Sequence, residues 1–99
     1  MSEYQAEICS DLRYAMRYAT IKSEKVEMMV LDDQIYFRPR IIKENLLAPK
    51  GVTLSLTMDH KIVIKDDGMV NANNIYLHSS HEEKVIHLQL GWGQLIYES

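Results

Sequence analysis

The opening stretch of the chain carries a helical period, and no later stretch repeats it at comparable length. Tyr4, Ile8, Leu12, Ala15, Met16 and Ala19 recur at steps of three and four, which puts them on one face of a helix running from Ser2 to about Ser23. On a helical wheel Tyr4, Ala15, Ile8, Ala19, Leu12, Met16 and Cys9 fall in that order on a single arc. Ala15 and Ala19 are small enough to admit a sheet closely. Beyond the helix, over residues 25–98, the apolar period shortens to two. A lone amphipathic helix followed by short alternating strands must bury its stripe against the sheet those strands form. The expected fold is α+β, with one N-terminal amphipathic helix packed against an antiparallel β-meander of about seven strands. Residues 1–99 then form a single domain.

The ends of the helix are legible as well. Ser2 with Gln5 three residues on fits a capping box, so a helix can start there. Glu3, Glu7 and Asp11 come early and Arg13, Arg17 and Lys22 late, as the helix dipole favours. Tyr14, Tyr18 and Ile21 make a second stripe on another side, at i, i+4 and i+7. Two readings of that stripe stand open. It covers a sheet edge or loop of its own domain, or it faces a partner, since aromatic side chains on an exposed helix side often anchor interfaces.

Lys25 to Leu31 reads as a strand, Asp32-Asp33 as a tight turn and Gln34 to Arg38 as the hairpin partner, ended by Pro39. Residues 40–50 are the least regular segment, expected as a loop with one helical turn, its Ile41, Ile42, Leu46 and Leu47 plugging one end of the core. From Gly51 the alternation is clearest, with Val52, Leu54, Leu56 and Met58 inward and Thr53, Ser55 and Thr57 outward. Asp59-His60-Lys61 turns into a strand over 62–65, and Asp66-Asp67-Gly68 and the Asn71–Asn74 cluster mark further corners. Strands over 75–80 and 85–90 follow, joined across His81–Lys84. Gly91-Trp92-Gly93 reads as a last tight turn before a strand over 94–98.

Composition narrows the class. Hydrophobic content of 46% and charged content of 25% belong to a soluble globular chain rather than a disordered one. The net charge is −3, and no Lys/Arg cluster exceeds Arg38-Pro39-Arg40, which argues against strong autonomous binding of nucleic acid. Cys9 is the one cysteine, so it forms no internal disulfide. No apolar run approaches the ~20 residues that span a bilayer, and no secretory signal is present.

Motifs for chemistry are sparse. A hairpin centred on Glu82-Glu83 places His78 and His87 opposite each other with His81 near the turn, and such a trio can hold zinc or copper in principle. Only Glu82 or Glu83 offers a further ligand, and solvated histidines on a sheet face are the plain expectation, so no metal site is assigned. Cys9 has no base near it in sequence and reads as a buried inert thiol. The acidic pairs Asp32-Asp33, Asp66-Asp67 and Glu82-Glu83 sit at turns and lack the spacing of a calcium loop. There is no phosphate loop, nucleophile elbow or HExxH. The six methionines read as core filling. No enzyme, cofactor or catalytic residue is read here.

Three segments together resemble a known family. The helix segment Asp11-Leu12-Arg13-Tyr14-Ala15-Met16-Arg17-Tyr18-Ala19 is similar to the "DL..AR..A" helix of FimT/GspH-like minor pseudopilins. Gly51-Val52-Thr53-Leu54-Ser55-Leu56, Ile62-Val63-Ile64, Asp67-Gly68 and Asn71-Ala72 resemble the central region of ComGD-type competence pseudopilins of Gram-positive bacteria. The run from Val85 to Ile96 is similar to that family's terminal strand, Leu-Gly-x-Gly, strand. The likeness covers most of the chain from Asp11 onward, and its motifs are short and structural. Pilin-like precursors also carry a leader, a cleavage site and an apolar helix about one bilayer long, and these 99 residues contain none of them.

That resemblance implies a minor pseudopilin, a structural assembly subunit of the competence type IV pilus that takes up DNA in transformation. These residues are then its pilin-like soluble domain, on the extracytoplasmic side of the cell membrane, anchored through an N-terminal helix outside them. Its partners would be other competence pilins and pseudopilins, major and minor, with DNA contact weak or indirect and no small-molecule substrate. Tyr14, Tyr18 and Ile21 become the candidate partner surface. Two alternatives remain. One is a FimT/GspH-like minor pilin of another type IV pilus or a type II secretion system, which would need a basic patch such as Arg38 and Arg40 if it bound DNA. The other is a small intracellular binding module.

Overall fold

A computed structural model describes residues 2–88 and the backbone of 95–98. Helix α1 spans Ser2–Lys22. Eight strands follow: β1 Val26–Val30, β2 Gln34–Arg38, β3 Leu46–Leu47, β4 Thr53–Leu56, β5 Lys61–Ile64, β6 Asn73–His78, β7 Glu83–Leu88 and β8 Leu95–Glu98. The fold is α+β, one N-terminal helix with antiparallel sheets, as the change of period requires.

The strands form two sheets rather than one meander. The first has the order β3-β2-β1-β5 and the second β4-β6-β7-β8. Hairpin succession holds within β1–β3 and within β6–β8, but β4 and β5 cross between the sheets. Pairing of β1 with β5, Met28 opposite Ile62, closes the first sheet on residues far apart in sequence. At the crossing the Leu54 amide donates to Asp32 O at 2.9 Å, and Ala48 N donates to Asp33 O at 2.9 Å. The Asp32 carbonyl therefore ties the β1–β2 turn to β4 of the second sheet, and the Asp33 carbonyl ties it to the residue after β3 of its own sheet.

Every residue of the expected helix arc is buried: Tyr4, Ile8, Cys9, Leu12, Ala15, Met16 and Ala19. They join Val26, Met28, Val30, Ile35 and Phe37 of the first sheet and Leu54, Ile75, Leu77, Ile86 and Leu88 of the second in one core. The helix touches β1, β5 and β7, so both sheets share its stripe. Three polar contacts fix its rotation. Tyr4 Oη donates to Leu46 O in the first sheet at 2.8 Å. Gln5 Nε2 donates to Val85 O in the second at 3.3 Å. Near the other end Thr20 Oγ1 lies 3.2 Å from Asp67 O. Gln5 is thus spent on β7, not on the capping box its spacing suggested, because its position beside Ile8 and Cys9 carries it inward.

The helix ends in a Schellman motif. Glu24 N donates to Ala19 O at 3.1 Å and Ser23 N to Thr20 O at 3.4 Å, with Ser23 left-handed at φ 50°. Gly51 sits third in the Pro49–Val52 turn at φ 84°, closed by Val52 N donating to Pro49 O at 3.0 Å. A type II turn needs a positive φ there.

Other expectations need correction. Residues 40–50 form no helical turn but the two-residue strand β3, whose alternation buries Leu46 and leaves Leu47 exposed. Ile41 and Ile42 pack on the core only in part. Met58 is exposed because β4 stops at Leu56, whose partner is Ile75, and Asp59 turns the chain away at φ 60°. The expected Gly91-Trp92-Gly93 turn, with the Leu-Gly-x-Gly motif around it, lies outside the described residues.

Candidate functional site

The β6–β7 hairpin closes earlier than its sequence suggested. Ser79 N donates to Glu82 O at 2.9 Å, and Ser79 Oγ accepts from His81 N at 3.3 Å and Glu82 N at 3.2 Å. This serine turn shifts the register, so His78 faces Glu83 and His87 faces Asn74. His78 Nδ1 lies 3.3 Å from a Glu83 carboxylate oxygen, and His87 Nδ1 2.6 Å from Asn74 Oδ1. The two imidazoles are not opposite one another, contrary to expectation. Among the described residues no three His, Cys, Asp or Glu side chains group to hold a metal ion. Cys9 is fully buried.

The short basic cluster is divided. Arg38 Nη2 lies 3.4 Å from Glu27 Oε1, while Arg40 Nη1 donates to Lys43 O at 2.9 Å. Glu27 also accepts from Lys61 Nζ at 2.6 Å. That hydrogen bond, helped by the Lys61, Lys25 and Arg38 charges, holds its carboxyl below the usual range. Glu27 thus joins β2 to β5 across the outside of β1 and neutralises part of the positive face.

Among the described residues, the helix presents one covered and one uncovered side. Its inner side is sealed by the two sheets, and its outer side is open from Ser2 to Lys22, with Glu3, Ala6, Glu7, Ser10, Arg13, Tyr14, Arg17 and Ile21 exposed. Tyr14 is 51% and Ile21 76% exposed. Tyr18 differs. It packs partly on the core, and its hydroxyl lies 3.4 Å from Glu24 Oε2. The predicted stripe therefore splits: Tyr18 serves its own domain, and Tyr14 and Ile21 face outward.

Beside this face lies a cavity of about 340 Å³ lined by Glu7, Ser10 and Asp11 of α1 and by Ile42 and Glu44–Leu47. Three carboxylates and the 68%-exposed Leu47 give it an acidic, partly apolar wall. Burial, then the neighbouring Glu7 charge, pushes the Asp11 carboxyl above its ordinary value. Asn45 in the same wall gives its amide nitrogen to Gln34 Oε1 at 2.7 Å, and its buried Oδ1 has no partner among the described residues. Sequence reading missed this cavity, because residues 42–47 reach the helix only through the pairing of β3 with β2.

On the far edge of the open face, Arg13 and Arg17 repeat the i, i+4 spacing of Glu7 and Asp11. Each like-charge pair costs an isolated helix on the order of 0.2–0.5 kcal/mol. None of the four takes part in the ion pairs found among the described residues.

No family model, characterised protein or solved structure matches this chain. No helix of the described residues is long and apolar enough to cross a membrane.

Proposed function

We propose that the chain is the soluble domain of a minor pseudopilin of a competence pilus, acting as a structural subunit in DNA uptake. The observation that carries this reading is the division of α1 into a sealed inner side and an open outer side. A spine helix that serves a filament needs that division, since its own sheets cover one side and neighbouring subunits the other. Tyr14 and Ile21 are the contacts such a neighbour would cover, because their exposed apolar surface gains by leaving water and aromatic side chains are enriched at interface cores. The divided positions of Arg38 and Arg40 favour the assembly role over DNA binding by this subunit.

The reading is tested in the organism that carries the gene. The coding sequence upstream of Met1 is expected to encode an apolar segment of about 20 residues preceded by a prepilin-type cleavage site. A ribosome-binding site directly before the Met1 codon refutes the reading. Replacing Tyr14 and Ile21 together by Asp is expected to lower transformation tenfold or more. A thermal melt of the purified domain checks that the variant folds, with a loss of no more than about 2 kcal/mol from placing Asp in the helix.

A further inference from the structure

Asp67-Gly68 is the one place in the 99 residues where an aspartate or asparagine precedes a glycine. It closes the turn that carries β5 back to Val70. Gly68 N donates to Lys65 O at 2.8 Å and Lys65 N to Met69 O at 2.9 Å, with Gly68 left-handed at φ 85°. Neither Asp66 nor Asp67 has a positive φ, so the turn is type I with Gly68 as the bulge residue behind it. Asp67 Oδ1 accepts from Met69 N at 2.9 Å, and Thr20 Oγ1 of α1 lies 3.2 Å from Asp67 O. Just beyond, Val70 bridges Ile64, both buried in the core.

We propose that Asp67 is a site of spontaneous isomerisation to isoaspartate, that the closed turn blocks the reaction, and that the product holds the turn open. The reaction needs only water. The Gly68 nitrogen bonds to Asp67 Cγ, and its proton leaves with the hydroxyl of the protonated carboxyl as water, closing a five-membered succinimide. Water then adds at the former backbone carbonyl and breaks its bond to nitrogen, the proton returning to nitrogen. A carboxylate is left on Cα and the chain runs on through Cγ. Product and reactant hold the same atoms, and nothing is oxidised or reduced.

Glycine favours the first step, since it has no Cβ to shield its nitrogen. The fold opposes it. Ring closure needs Cβ and the Gly68 nitrogen nearly eclipsed about the Asp67 Cα–C bond, and the ψ near 0° of the third turn position holds them about 120° apart. The attacking nitrogen lies inside the turn with its proton on Lys65 O, and Gly68 is buried although Asp67 is exposed. Met69 N holds the carboxylate as well. Attack therefore waits for the turn to open.

Once made, isoaspartate cannot close the turn on the old terms. It puts one more carbon into the main chain between Lys65 and Met69, so the two residues lose the register in which Lys65 N meets Met69 O. The carbonyl beside Thr20 becomes a free carboxylate, and the end of α1 loses its seat on the turn. Opening and modification thus act in one direction, as a latch.

The test compares rates. The wild-type chain is kept in warm neutral buffer, folded in one sample and unfolded by guanidinium in the other. Isoaspartate in the peptide that contains residue 67 is then measured by mass spectrometry and by methylation with isoaspartyl methyltransferase. Accumulation should be tenfold or more slower in the folded chain, by the factor that also slows hydrogen exchange of the Gly68 amide, since both report the open turn. The variant Asp67→Glu, whose ring would need six members, should leave that peptide unmodified. Chain aged while unfolded, then refolded, should show fast exchange of the Gly68 and Met69 amides and a lower melting temperature than unaged chain. Equal rates in the folded and unfolded samples overturn the block, and a signal that survives Asp67→Glu overturns the site. An aged chain whose Gly68 and Met69 amides are as protected as before overturns the latch.

Discussion

Tyr4 shows how much one residue is asked to do. Its ring lies in the core, and its hydroxyl donates to Leu46 O at 2.8 Å, bolting the helix to the edge strand β3. Burial, with the Glu7 and Asp33 charges, pushes its phenol up to about 12 from an ordinary 10. Because the folded state holds that proton more tightly, its contribution is intact below pH 10 and is lost as pH rises through about 12. Tyr4→Phe should cost about 1 kcal/mol at neutral pH by removing the hydroxyl's bond to Leu46 O. It should also flatten the alkaline decline. Urea unfolding followed from neutral pH to pH 11 measures both. Tyr4 was legible as a core residue from its place on the arc. Its hydrogen bond was not, because Leu46 comes within reach only through a two-residue strand that no periodicity announces.

At the scale of elements, the helix C-terminus is closed by a serine in a conformation that glycine adopts freely. Ser23 at φ 50° completes both bonds of the Schellman motif. Replacing it by Gly should remove the Cβ strain and stabilise the domain by about 1 kcal/mol. That corresponds to a rise of about 4–8 °C in a thermal melt. The hairpins teach the opposite lesson about legibility. The partner of β1 was readable because Asp32-Asp33 leaves little freedom of register, and Val30 does face Ile35. The β6–β7 register was misplaced because Glu82-Glu83 has the composition of a turn, whereas Ser79 supplies the bonds that close one. The pairing of histidines moved with it.

For the molecule as a whole, the core is one body to which the helix and both sheets contribute. Leu12 sits on the middle of the helix stripe with no exposure. Leu12→Ala should cost about 2–5 kcal/mol, a large share of the ~5–15 kcal/mol that holds a domain of this kind together. Guanidinium denaturation should show one lowered midpoint rather than two, since neither sheet keeps a separate core. The amino-acid sequence by itself determined that there would be one helix, which face of it would be buried, and where most strands would lie. Those follow from residue spacing, a property of neighbours along the chain. Only the tertiary structure decided that β4 and β5 exchange sheets, that Gln5 ties the helix to β7, and that residues 42–47 wall a cavity beside Glu7 and Asp11. Each of these joins groups brought together by long-range pairing, which a local pattern cannot encode.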